Sequence, residues 1–172
     1  MKHTPDMRRK ACMPILMVLC LALFFPKQRA FAAGTAAFEA HYTTASVSAQ
    51  EQSAGNLLNS DRMRYGLPPL EHSAALSRAA RLKSEDMRDN RYFAHTSPTY
   101  GDVRSMLTAL GIPYKAAGEN IAHHATVEKA QAAFLSSPGH RRAVLSKAYT
   151  HYGVGIALDE NGFVYLTQIF AR

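Results

Sequence analysis

Apolar residues recur at helical spacing in four stretches of the 172-residue chain and alternate at strand spacing in two more. From about Ser53 to Tyr65 the pattern predicts a helix with Leu57, Leu58 and Tyr65 turned inward, ended by Gly66 and stopped by the LPPL that follows. A second helix, from about Ser73 to Asn90, offers Leu76, Ala79, Ala80 and Met87 at three- and four-residue intervals. Asp102 is placed to cap a third, where Val103, Met106, Leu107 and Leu110 fall at i, i+3, i+4 and i+7, with Gly111 ending it. A fourth runs from about Thr126 through Val127, Ala130 and Phe134 to a Ser-Pro-Gly stop. The chain closes on YGVGIALDENGFVYLTQIF, two alternating runs about Asn161-Gly162, a dipeptide suited to a tight hairpin. Helices ahead of a hairpin predict an α+β fold, with helices layered on a small antiparallel sheet.

The N-terminus follows a different pattern. Lys2, Arg8, Arg9 and Lys10 precede an apolar run from Ala11 to Phe25, and Ala30-Phe31-Ala32 is a small-x-small cleavage signal. This is the anatomy of a signal peptide over residues 1–32, directing the protein to the cell envelope or out of the cell. An uncleaved membrane anchor is the alternative; the run is short for a bilayer span, so no stable span is expected after processing. Cys20 follows Leu19 rather than a small residue, which argues against lipid attachment.

Processing changes the charge. Formally the chain carries +7, but residues 1–32 hold six of its 20 Lys and Arg and one of its 13 acids, leaving 14 against 12. The high pI therefore gives no ground for a nucleic-acid partner. Cys12 and Cys20 leave as well, so the remainder is held by its core without a disulfide. Residues 33–52 are Ala-, Ser- and Thr-rich and read as a linker or loosely ordered arm, with a single domain over residues 53–172.

Motifs for a serine-hydrolase elbow, a zinc-protease helix, a P-loop and a dinucleotide fold are all missing, and the processed chain has no thiol. Arg78, Arg81, Lys83, Arg88 and Arg91, interleaved with Glu85, Asp86 and Asp89, read as a solvated helix face. His41, His72, His123, His124 and His151 read as surface or structural residues. His123 and His124 are adjacent, and neighbours diverge on a strand. Ser136 and Ser137 lie near His140 but read as caps at a helix end. Three polar residues remain where helices break: His95 in RYFAHTSP, Glu119 in AAGENIA, and His140 in SSPGHRRAVLS.

Seven segments in order, LLNSDRMRYGLPPL, the alanine-rich second helix, YFAHTSP, GENIA, SPGHRRAVL, YGVGIAL and YLTQIF, resemble the CAP superfamily (cysteine-rich secretory proteins, antigen 5, pathogenesis-related 1). The match is to its cysteine-free bacterial branch of SCP-like extracellular proteins and runs from Leu57 to Phe170. The resemblance implies a three-layer α-β-α sandwich with an open cleft lined by His95, Glu119 and His140. It implies that Pro138-Gly139 ends a helix so that His140 turns into that cleft. Asn120 is expected to orient Glu119, and Thr167 and Gln168 to contact ligand.

Two imidazoles and a carboxylate are suited either to a divalent ion such as zinc, held by His95 and His140, or to acid-base work on a bound water by Glu119 and the two histidines. Many eukaryotic family members add a second glutamate three residues after a helix tryptophan; those positions here are Ser137 and Phe134. The family's aromatic before the final Thr-Gln is Leu166. The leading expectation is a secreted module that recognises an extracellular or cell-envelope ligand (lipid, glycan or peptide). The alternatives are a metal-dependent hydrolase, with Glu119 activating water, and a lipid carrier.

Overall fold

The computed structural model describes residues 44–172. The signal-peptide expectation and the first part of the arm lie outside the described residues. Five helices and four strands follow in the order α1 (Thr44–Arg64), β1 (Glu71–His72), α2 (Ala74–Asp89), α3 (Val103–Ala109), β2 (Ala117–His124), α4 (Val127–Ser136), α5 (Pro138–Val144), β3 (His151–Leu158) and β4 (Val164–Ala171). The strands form one sheet in the order β1-β3-β4-β2. β2, β3 and β4 pair antiparallel, while the two-residue β1 runs parallel to β3.

Period-two alternation divides the core between the two sheet faces. Tyr152, Val154, Ile156 and Leu158 of β3, with Val164, Leu166 and Phe170 of β4, pack against Ala54 and Leu58 of α1, Ala130 and Phe134 of α4, and Val144 of α5. On the other face, Ile169 and Ala171 meet Leu76, Ala79 and Ala80 of α2 and Met106 and Leu107 of α3. The expected three-layer sandwich is thus observed. Gly153 and Gly155 explain how closely α2 lies on the sheet. A Cβ at Gly153 would strike the backbone at Leu76 and Ser77, and one at Gly155 the backbone at Ala80 and Arg81.

The helix ends obey local chemistry. Ser73, Asp102 and Thr126 cap α2, α3 and α4, each side chain accepting a backbone N–H three residues on. Gly111 and Gly162 take positive φ at the end of α3 and in the β3–β4 turn. Four expectations need correction. First, α1 begins at Thr44 rather than Ser53, so it extends into the stretch expected to be an arm. Glu51 on that extension pairs with Arg81 of α2 and accepts from the backbone N of Ile156 at 3.0 Å, which fixes the helix there.

Second, Tyr65 is 45% exposed. Arg62, four residues after Leu58, takes the inward place and donates to the carbonyls of Pro68, Val144 and Ser146. Third, the Ser-Pro-Gly segment ends α4 but also starts α5, with proline in its first turn, where its missing N–H costs nothing. His140 therefore sits within a short helix and not on a bare turn. Fourth, Ser137 makes no side-chain cap bond there, and the Ser136 hydroxyl donates back to the Ala132 carbonyl.

Candidate functional site around His95, Glu119 and His140

His95 arrives on the segment that leaves α2, and two buried residues of α2 hold that segment. Lys83 is 1% exposed, and its ammonium donates to the carbonyls of Ala94 (2.8 Å) and His95 (3.1 Å) and to the Tyr92 hydroxyl (3.1 Å). It also lies 4.9 Å from the centre of the Tyr92 ring. Burial lowers the Lys83 pKa, a pull opposed by the charges of Glu119 and Asp86. Asp86, one turn on, accepts from Ser97 (2.6 Å), Thr99 (2.5 Å), Asn90 (2.7 Å) and the Tyr92 hydroxyl. Burial alone would raise the Asp86 pKa, but these four donors together hold it below its ordinary value. The Tyr92 phenol is pushed up by burial and by its bond to Asp86.

These two residues correct the expectation of a solvated charged face. The signal was present in the spacing. Lys83 falls in the stripe Leu76-Ala80-Lys83-Met87, at intervals of four, three and four, which is the buried face of the helix. An alternation of charge signs along the sequence concealed it.

Glu119 lies on β2, an edge strand, paired with Ile169 of β4. Its Oε1 is 2.8 Å from His95 Nδ1, and its side chain is 3% exposed against 58% for the imidazole. Its Oε2 is buried with no hydrogen-bond partner. Burial raises the Glu119 pKa; the His95 hydrogen bond and the charges of Lys83 and His95 only partly offset this.

His140 comes from the opposite layer. Its ring meets Phe134 edge-on, with centroids 5.3 Å apart, and its carbonyl accepts from the Asn120 amide at 3.2 Å. Burial lowers the His140 pKa, and the charge of His95 lowers it further. The two imidazoles thus lie within electrostatic reach, although His140 makes no side-chain hydrogen bond to His95 or Glu119 among the described residues. The fold brings His95 and Glu119 into direct contact, while His140 packs on Phe134.

Asn120, Thr167 and Gln168 stand apart from this cleft. They are 1%, 0% and 0% exposed. Asn120 points to the face of β2 opposite Glu119, because successive strand residues alternate, so it braces α5 under His140 and does not orient the carboxylate. It also donates to Gln168, which donates to Gln131 at 2.7 Å, while Thr167 lies 2.8 Å from the Ser84 hydroxyl. This polar network satisfies groups inside the core and leaves none of the three facing a ligand. His123 and His124 diverge as expected; His123 contacts Asp159 at 2.9 Å and stacks on Tyr165.

The sequence model of the cysteine-rich secretory protein family, CAP, matches residues 56–170. The chain belongs to that family. An uncharacterised Bacillus subtilis protein, YkwD, is 44% identical to it over 128 residues, 74% of this chain and 49% of that protein. A Bacillus anthracis extracellular protein containing an SCP domain superposes with a TM-score of 0.67 at 32% identity, covering 76% of this chain and 44% of the other. An outer surface protein from Borrelia burgdorferi matches at a TM-score of 0.65 and 16% identity, over 70% of this chain and 90% of that one. At that identity the likeness is one of fold. The chain spans about half the length of the Bacillus relatives, so it corresponds to their CAP portion. In this CAP domain Ser137 is the N-cap residue that precedes α5.

Proposed function

We propose that this CAP domain is an extracellular or cell-envelope recognition module whose cleft, formed by His95, Glu119 and His140, binds a hydrogen-bond-donating group of an envelope glycan or peptide. The observation that carries this reading is the unpartnered, buried Oε2 of Glu119, beside an Oε1 already engaged by His95. A buried acceptor left unmade costs about 1–3 kcal/mol, and a ligand hydroxyl or amide that meets it recovers that cost on binding. The extracellular placement draws on the basic-then-apolar N-terminus and on the extracellular Bacillus anthracis relative. Soluble fragments of bacterial peptidoglycan, titrated calorimetrically into wild type and Glu119→Gln, test the reading. The expected result is saturable binding by wild type, weakened about tenfold or more when an acceptor oxygen becomes an amide donor. Equal affinity in the two proteins, or none in either, overturns it.

A hydrolytic function is the second reading. It is favoured by the Glu119 carboxylate in contact with His95, and by the opposed perturbations of Glu119, raised, and His140, lowered, which suit an acid and a base. A zinc centre fits the residues less well. Among the described residues no three His, Cys, Asp or Glu side chains are arranged to hold an ion, and one Glu119 oxygen is committed to His95. A structural or catalytic zinc takes three or four such ligands. No step is therefore assigned to a metal.

A further inference from the structure

From Lys129 to Leu158 the chain carries Lys129, Arg141, Arg142 and Lys147 and no aspartate or glutamate. The described chain is otherwise nearly balanced in charge, so this segment is locally one-signed. The fold concentrates it. Arg62 binds the carbonyls of Val144 and Ser146 and so locks the end of α1 against the end of α5. At that junction Tyr65 is 45% exposed, and the Arg141 guanidinium lies 4.9 Å from the centre of its ring. On the outer side of α5 opens a cavity of about 430 Å³ lined by Ser136, Pro138, Arg141, Arg142 and Leu145. Neither arginine has a carboxylate partner among the described residues. The nearby Asp61 is taken up by Arg64 and Gln131.

We infer that this cavity is a binding site for a phosphate group, distinct from the His95-Glu119 cleft and reached from the same short helix that carries His140. Two guanidinium groups offer planar, paired donors matched to a tetrahedral oxyanion, and Arg141 is already ordered by its stacking on Tyr65. The apolar side chains of Pro138 and Leu145 in its lining suit the carbon skeleton that bears the phosphate. A phosphodiester polymer, a phospholipid headgroup and free phosphate share this chemistry.

The test is an NMR titration of the full domain with inorganic phosphate and with glycerol phosphate, following the arginine side-chain Nε–H signals. Saturable shifts of Arg141 and Arg142 are expected, with affinity reduced about tenfold or more in Arg141→Gln/Arg142→Gln and unchanged in Glu119→Gln. That last arm separates this site from the cleft, since failure of the cleft reading leaves the phosphate shifts intact. Co-sedimentation with phosphatidylglycerol and phosphatidylcholine vesicles then assigns the source. Selective retention on the anionic vesicles marks a headgroup, whereas binding of glycerol phosphate without vesicle retention marks a soluble polymer. Unsaturated, non-selective shifts at high millimolar phosphate, or identical titrations in the double variant, overturn the site.

Discussion

Asp86 and Glu119 are both carboxylates withdrawn from water, and both serve the segment that presents His95, yet their environments push them in opposite directions. Asp86 receives four side-chain donors, enough to outweigh burial and hold its pKa down. Glu119 receives one, has an oxygen with none, and is pushed up. The balance between burial and donors decides the sign: burial raises both, more so for Glu119, and only Asp86 has donors enough to outweigh it. The contrast separates a carboxylate that builds the fold from one the fold leaves ready for a ligand.

The largest expected effect comes from breaking the satisfied cluster. Asp86→Ala strands the Ser97, Thr99, Asn90 and Tyr92 donors and removes the counter-charge near the buried Lys83. Urea unfolding should show a loss of about 3–5 kcal/mol. A loss below about 1 kcal/mol would mean that the cluster contributes little to stability.

Lys83→Met should cost less, about 1–3 kcal/mol, since the methionine refills the space of the aliphatic stem while the Ala94 and His95 carbonyls lose their donor. The same variant should detach His95 from Glu119, seen as a change in the imidazole tautomer by nitrogen-15 NMR. A wild-type His95 spectrum in a folded Lys83→Met protein would confine Lys83 to a packing role.

A smaller effect, opposite in sign for the two carboxylates, is expected with pH. A depressed carboxylate contributes stability above its unfolded pKa, near ~3.9 for aspartate, and loses it as pH falls through the folded value. A raised carboxylate contributes fully below its unfolded pKa, near ~4.3 for glutamate, and loses that contribution as pH rises through the folded value. As pH falls from 7 toward the unfolded glutamate value, wild type should therefore gain stability relative to Glu119→Gln, because folded Glu119 takes up its proton more readily than an unfolded glutamate does and Asp86 less readily than an unfolded aspartate. Parallel stability curves for the two proteins would contradict the raised Glu119 pKa.

The smallest effect expected is on zinc. Imidazoles must be neutral to ligate and protonate near pH ~6.5 when free, so any affinity should be weak at pH 7.5 and vanish by pH 5.5. Calorimetry on wild type, His95→Ala and His140→Ala checks this. Tight binding lost with either histidine would replace the recognition reading with a metal-dependent one.

Periodicity and turn chemistry made most of the fold legible in the sequence. The caps at Ser73, Asp102 and Thr126, the Asn161-Gly162 hairpin and the α2 stripe are local, and local rules of spacing and capping specify them. The resemblance pointed to His95, Glu119 and His140 as a set, and the fold joins His95 to Glu119 across 24 residues of chain. Less legible were Lys83 and Asp86, whose charges masked an inward position, and Tyr65, displaced by Arg62.

The sequence by itself determined four of the helices, the C-terminal hairpin and which residue types are available for chemistry, because those depend on side-chain size, spacing and backbone freedom within a few residues. Only the tertiary structure decided how many donors meet each carboxylate, that Asn120 faces away from Glu119, and that Arg141 and Arg142 border a cavity while Arg141 lies over Tyr65. Those outcomes depend on which groups other layers of the fold bring within hydrogen-bond reach, and on how much water they exclude. Neither quantity is encoded in any one segment of the chain.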